Sequence, residues 1–254
     1  MDGVEGGEDL TYYRELIQHT HPHIQQERPI SIRQVRFTKC KRTKNLNHPL
    51  IKNLYILVQH NESVRFLQNI DFKNSSKLVI VLSEKGITVK DCFTYIAACL
   101  QGEFAMLTNS DIRVGEGFER VDPALLRENK LMYALTRHST YDKYGICDVK
   151  LFVGCVDSFL FYVRQFKSTD FNLLSISQRN EPGLEQVIMY MFHQEFGWKV
   201  INPCKILKTY HQHQVPAKNY KGKPINMKKV KNNKGQWTNM YINSYTASHT
   251  DQLF

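Results

Sequence analysis

The sequence predicts an α/β fold with a mostly parallel central sheet flanked by helices. Three observations predict it. From Ile30 to Asp111 the pattern alternates helix, strand, helix, strand, helix, strand. Its strand-length segments Ile51–Val58, Lys77–Leu82 and Phe104–Leu107 are largely apolar, as in strands covered on both faces. The last of them stops on a polar tip, Thr108-Asn109-Ser110-Asp111, with one carboxylate. Open α/β sheets present ligand groups at the carboxyl ends of their strands. Taken alone, the tip reads as a turn, since Asn, Ser and Asp all hydrogen-bond nearby backbone.

Residues 1–9, acidic and Gly-rich, read as a disordered leader. Leu16–Ile24 carries a weak strand pattern. His19, His21 and His23 lack a Cys or acidic neighbour, which favours a structural or chance role over a metal site. Ile30–Asn45 reads as a helix capped by Ser31, with Ile32, Val35, Phe37 and Cys40 as an imperfect apolar face. Turn residues follow to Pro49. Ile51–Val58 is a strand, and a short helix covers Ser63–Asn69. Lys77–Leu82 is the clearest buried strand of the chain. Thr88–Leu100 is a helix, with Val89, Cys92, Phe93, Ile96, Ala97 and Leu100 on one face.

Beyond the tip, Pro123–Asn129 is a short helix and Lys130–Thr136 a strand that ends in Arg137-His138. Val149–Val153 reads as a short edge strand. Phe159–Val163 is an aromatic-rich strand that begins just after Asp157. Gly183–Phe196 is an amphipathic helix opened by Glu181-Pro182-Gly183; Trp198–Ile201 is a strand turned by Asn202-Pro203. Ile206–His213 leads into a segment rich in Lys, Asn and Gly from Ala217 onward, which reads as loosely ordered. The predicted organisation is therefore a domain over 10–216 and a basic C-terminal extension over 217–254.

With 42% hydrophobic and 11% aromatic residues, the chain is globular rather than disordered. No apolar run approaches the roughly 18 residues of a membrane span, and no secretory signal is visible. A cytoplasmic protein is expected, a nuclear one being compatible. The six cysteines form no CxxC pair and read as buried thiols of a reducing compartment. The net charge of +10 is concentrated. One block spans Arg28 to Lys52; a second, Lys205 to Lys234, holds nine lysines and no acid. Such blocks are either solvated or attract polyanions, whether nucleic acid or the diphosphate of a nucleotide. The absence of GxxxxGK[ST], and of GxGxxG after a strand, argues against a P-loop NTPase and a Rossmann dehydrogenase.

Several pieces fall in a fixed order: an Arg-containing helix (Arg33, Arg36) leading into a strand, Leu-Thr-Asn-Ser-Asp-Ile at 107–112, Tyr-Ala-Leu-Thr-Arg at 133–137, and Gly-Cys-Val-Asp-Ser-Phe-Leu-Phe at 154–161. Gly-Leu-Glu-Gln follows at 183–186, then Asn-Pro-Cys at 202–204 and Thr-Tyr-His-Gln-His at 209–213. This order resembles a family of stand-alone glycosyltransferases of the GT-A, or nucleotide-diphospho-sugar transferase, fold. Its members read NSDI, ALTR, GSQDAWIF, GCDN and NPC…TxHxH. The resemblance covers roughly Arg33 to His213. Here Cys155-Val156 replaces Ser-Gln, Phe159 the Trp, and Glu185-Gln186 the Asp-Asn. The first strand usual in this fold is not recognisable before Ile30.

The resemblance implies a nucleotide-diphosphate sugar as donor, with Mn²⁺ or Mg²⁺ bridging its diphosphate. Asp111 would be the last carboxylate of a DxD-like motif, with Asn109 in place of the first and Ser110 between them. His211 and His213 alternate, so both face one side of an extended segment, where one would ligate the metal and the other touch a phosphate. Asp157 would bind the acceptor or act as general base, and Glu185 stands where inverting members place their base. Arg137 would hold the diphosphate or orient an acidic partner. The expected activity is sugar transfer to a hydroxyl acceptor: a glycan, a protein or a modified nucleic acid. Two other readings start from the charge. One is a nucleic-acid-binding protein on a degenerate GT-A scaffold, gripping a strand through the lysines and Tyr220, Trp237, Tyr241 and Tyr245. The other is a DNA-base-directed glucosyltransferase.

Overall fold

In a computed structural model of the protein, the described residues are 30–37, 44–83, 87–139, 147, 156–176, 183–212, 228–231, 237–240, 248–250 and 252–253. The predictions at Leu16–Ile24, the three early histidines and Val149–Val153 lie outside them.

An eight-stranded sheet organises the chain. In sequence order its strands are β1 (Ile32–Phe37), β2 (Ile51–Val58), β3 (Leu78–Leu82), β4 (Phe104–Thr108), β6 (Leu131–Thr136), β8 (Val156–Tyr162), β9 (Lys199–Asn202) and β13 (Ser248–His249). Their order in space is β13-β9-β6-β8-β4-β1-β2-β3. All run parallel except β8, which is antiparallel to both β4 and β6. The carboxyl ends of the parallel strands and the amino end of β8 therefore share one edge. On that edge sits a three-stranded sheet of β5 (Ile112–Val114), β10 (Thr209–His211) and β7 (His138–Ser139). A hairpin of β11 (Lys228–Lys231) and β12 (Trp237–Met240) completes the described strands. The expected α/β architecture, with its mostly parallel sheet, is present.

In the segment read as the first helix, Ile30–Asn45, residues Ile32–Phe37 are instead a strand, and 38–43 lie outside the described residues. β1 lies between β2 and β4 in the middle of the sheet. Its pattern hides this, because a polar residue occupies the interior: Gln34 is fully buried, its amide donating to Thr108 Oγ1 at 2.9 Å and accepting from Asn45 Nδ2 at 2.8 Å. Arg33 bonds Glu103 at 2.7 Å, at the sheet edge remote from Asp111. β3 is a strand as expected, but at an edge, and only its Val81 is buried. An apolar run reports composition, and position in the sheet decides burial.

Helices cover both faces. α1 (Asn61–Gln68) buries Leu67. α2 (Val89–Cys99) starts at a capping box in which Asp91 N donates to Thr88 Oγ1 and Thr88 N to Asp91 Oδ2. α3 (Pro123–Glu128) is capped by Asp122 with Pro at its start. α4 (Leu184–Tyr190) runs on into a single π turn, Met191–Glu195. α2, α4 and the segment Ser168–Ile176 close over a core that includes Phe93, Phe161, Phe166, Phe171, Phe192 and Trp198. The rings pack in tilted, stacked and edge contacts, such as Phe93–Phe171 at 5.4 Å and Phe192–Trp198 at 5.2 Å. A second core on the opposite face holds Phe118, Leu126, Tyr133 and Leu207.

The cysteine expectation is corrected. Cys147 and Cys204 form a disulfide with Cα atoms 6.0 Å apart, both side chains buried. Their separation of 57 residues hid the pairing. Cys92 is the buried thiol expected, its pKa raised by burial; Cys99 is partly exposed. A disulfide is a bond of oxidising environments, so the cysteines give no support to a reducing compartment. Among the described residues no helix is long and apolar enough to cross a membrane. The C-terminal extension comes back to the sheet. β13 pairs with β9, Thr250 N donates to Asn202 O at 3.1 Å, and Tyr133 Oη donates to Leu253 O at 2.8 Å.

Candidate functional site

The reversed strand explains the site. Because β8 runs against its neighbours, its first residues lie beside the last residues of β4 and β6. Asp157 thereby meets Asn109 and Arg137, which are 48 and 20 residues away in sequence. Asn109 Nδ2 donates to Asp157 Oδ1 at 2.7 Å, and Arg137 Nη1 lies 3.0 Å from each carboxylate oxygen. Asn109 N also donates to Asp157 O at 3.1 Å. Burial pushes the Asp157 carboxyl up in pKa, while Arg137, Asn109 and His211 pull it back. Donors aimed at both oxygens are the setting of an ionised, fixed carboxylate. Of the two roles open to Arg137, orienting an acidic partner is the one it performs here.

Arg137 is itself held from behind. Thr136 N donates to Asn202 Oδ1 at 3.2 Å, and Asn202 Nδ2 donates to Thr136 Oγ1 at 2.7 Å. His138 Nε2 bonds Cys204 O at 2.8 Å. The Asn-Pro-Cys segment therefore clamps the strand end that carries Arg137, and the disulfide fixes the clamp. Sequence reasoning assigned no role to Asn202 or Thr136. The available signal was polar residues ending two apolar strands.

Asp111 and His211 are brought together by β5 and β10, which pair antiparallel with Ile112 opposite His211. Gln212 N donates to Asp111 O at 2.8 Å, and His211 Nε2 lies 2.8 Å from Asp111 Oδ2. Both side chains are partly exposed. Ser110 lies on the same partly exposed tip. His213 is outside the described residues.

β5 closes against the chain before β10 through Gly117, whose φ of +97° and tight approach to the Ile206 carbonyl exclude any side chain. Among the described residues no group of three or more His, Cys, Asp or Glu gathers to hold a metal. Asp111 and His211 offer one carboxylate oxygen and one imidazole nitrogen, a donor pair that fits one side of a divalent cation whose other positions go to water and phosphate oxygens.

Glu185 stands in the first turn of α4, following Gly183, whose φ of +101° turns the chain into the helix. It is half-buried, and burial pushes its pKa up to about 7. The backbone N–H groups of Glu185 and Gly183 act against that shift, and Asp157 adds to it. Asp157 and Arg137 both act on it electrostatically, so Glu185 belongs to the same cluster.

The chain matches no protein family and no curated protein. Among solved structures it is similar to 4-diphosphocytidyl-2C-methyl-D-erythritol synthase from Anaerococcus prevotii DSM 20548, with 11% identity and a TM-score of 0.40, over 68% of this chain and 87% of that one.

Proposed function

We propose that the protein is a transferase that moves a sugar from a nucleotide-diphosphate donor to a hydroxyl acceptor, with Glu185 as general base. The observation that carries the reading is the contrast within one cluster. Glu185 has a pKa near 7 beside an Asp157 already saturated with donors. A base poised near the working pH can take a proton from a hydroxyl and later release it. The family resemblance of the ordered motifs supplies the donor class.

In this reading the acceptor O–H gives its proton to the Glu185 carboxylate. The oxygen forms a bond to the anomeric carbon, and the bond from that carbon to the diphosphate breaks, the diphosphate leaving with the electron pair. Asp157 is a positioning residue that fixes Arg137 and Asn109. The guanidinium nitrogens of Arg137 not engaged by Asp157 would face the departing negative charge. Asp111 and His211 would hold Mn²⁺ or Mg²⁺, which neutralises charge on the diphosphate when bound.

The test is a thermal-shift screen of nucleotide-sugars with and without Mn²⁺, followed by turnover of the stabilising donor. Glu185→Gln should keep the donor-dependent shift and lose transfer. Asp111→Ala should lose the Mn²⁺-dependent part of the shift. A Glu185→Gln variant with wild-type turnover, or a protein stabilised by no nucleotide-sugar, would overturn the reading.

A further inference from the structure

Arg113 is the middle residue of β5, two positions past Asp111, so their Cα atoms are at most about 7 Å apart. Across the β5–β10 ladder it pairs with Tyr210, and Tyr210 pairs with His138 on its other side. Arg113 Cζ lies over the Tyr210 ring, 4.8 Å from the centroid. The ring is fixed in turn. It lies against Gly115, where any side chain would run into it; its hydroxyl donates to Glu116 Oε1 at 2.6 Å; and the His138 ring stands 5.8 Å away. Glu116 is thereby engaged, and the same oxygen also meets Lys208 Nζ at 3.1 Å. Arg33 and Arg137 each hold a carboxylate, of Glu103 and Asp157. Arg113 differs: among the described residues it has the ring contact but neither a hydrogen bond nor an ion pair, and it is partly exposed.

We propose that Arg113, seated on the Tyr210 ring, is an anion subsite of the candidate site and takes the carboxylate or phosphate of an acidic sugar. A ring attracts a cation through its face and leaves the guanidinium N–H groups unused. These fit a carboxylate or a phosphate by two parallel bonds. Fixing the ring fixes the guanidinium before the ligand arrives, so less freedom is lost on binding. The assignment to a sugar rests on the transferase reading. That reading already gives the diphosphate the cation at Asp111 and His211 and the guanidinium of Arg137. The group at Arg113 is therefore a further anion, carried by the sugar of the donor or by the acceptor.

The experiment is a saturation-transfer NMR titration of the full-length protein with methyl glucuronide, glucose 6-phosphate and, as the neutral control, methyl glucoside. No nucleotide-sugar and no metal are added. The wild type should bind a charged probe at least about tenfold more tightly than the glucoside, the value of a charge-assisted hydrogen bond. Preference for the glucuronide names a uronate, and preference for the phosphate a sugar phosphate. Arg113→Met should abolish the difference between charged and neutral probes. Arg113→Lys should keep part of it, since an ammonium cannot make two parallel bonds. Melting temperatures show whether the variants remain folded; where Arg113→Met does not, Arg113→Lys carries the test in the same direction. Charged probes bound no more tightly than the glucoside, or wild-type affinity in both Arg113 variants, overturn the proposal. Because donor and metal are absent, a failed nucleotide-sugar screen leaves this result standing, and a failed titration leaves the transferase reading standing.

Discussion

Asp157 is a buried acid and Glu185 a half-buried one in the same region, and their surroundings differ. Burial raises both pKa values. Asp157 answers with an amide and a guanidinium on its oxygens, while Glu185 has the backbone N–H groups of its helix turn, a weak pull from Arg137 and a repelling neighbour. The same desolvation therefore yields an anchor in one place and an exchangeable proton in the other. Donor supply separates them, and depth alone does not.

The largest test of this contrast is Glu185→Gln, which should lower transfer by about 10²–10⁴-fold, the range of a general base, with the fold intact. Wild-type turnover should rise with pH through about 7 as Glu185 ionises. Stability should move the opposite way. The folded state keeps a proton that the unfolded chain releases from a carboxyl of 4.5, so the contribution is full below 4.5 and is lost as pH rises to about 7. Melting curves of Glu185→Gln should lack that loss.

Reduction of the disulfide acts on the anchor side. Opening a link across 57 residues should lower stability by about 4 kcal/mol on the chain-entropy account. It should move the Glu185 midpoint little, since the clamp backs Arg137, the smallest of the influences on Glu185. Arg137→Met strips a buried carboxylate of its cation and should cost about 3 kcal/mol, read by urea melts. Adding Asp157→Asn to it should recover part of the loss, a coupling that two independent sites would not show. Asn109→Ala removes one hydrogen bond to that carboxylate and should cost about 1–2 kcal/mol. A larger loss in Asn109→Ala than in Arg137→Met would reverse the roles assigned here.

Much of this was legible from sequence, and the gaps have physical causes. Local signals placed β2, α2, β4 and α3, because capping residues and apolar runs speak within a few positions. β1 was missed because Gln34 is satisfied by Thr108 and Asn45, partners that no local window contains. The reversal of β8 was equally hidden, since strand direction is a property of pairing. Among the candidate site residues, Asp111, Asp157, Glu185, Arg137 and His211 were named from motifs, but their grouping was not. The structure divides them into an Asp111–His211 pair and an Asp157–Arg137–Asn109 nest beside Glu185. The disulfide was read the wrong way because spacing carries no trace of it.

The two ends of the large sheet differ in how they are finished. At one, the chain folds its own tail over β9 as the two-residue strand β13, and short strands of this kind discourage further pairing. At the other, β3 presents Leu-Val-Ile-Val-Leu without a charge, and among the described residues no strand lies beyond it. Such an edge is a template for aggregation. Under thermal stress the protein should lose solubility by copies joining at β3.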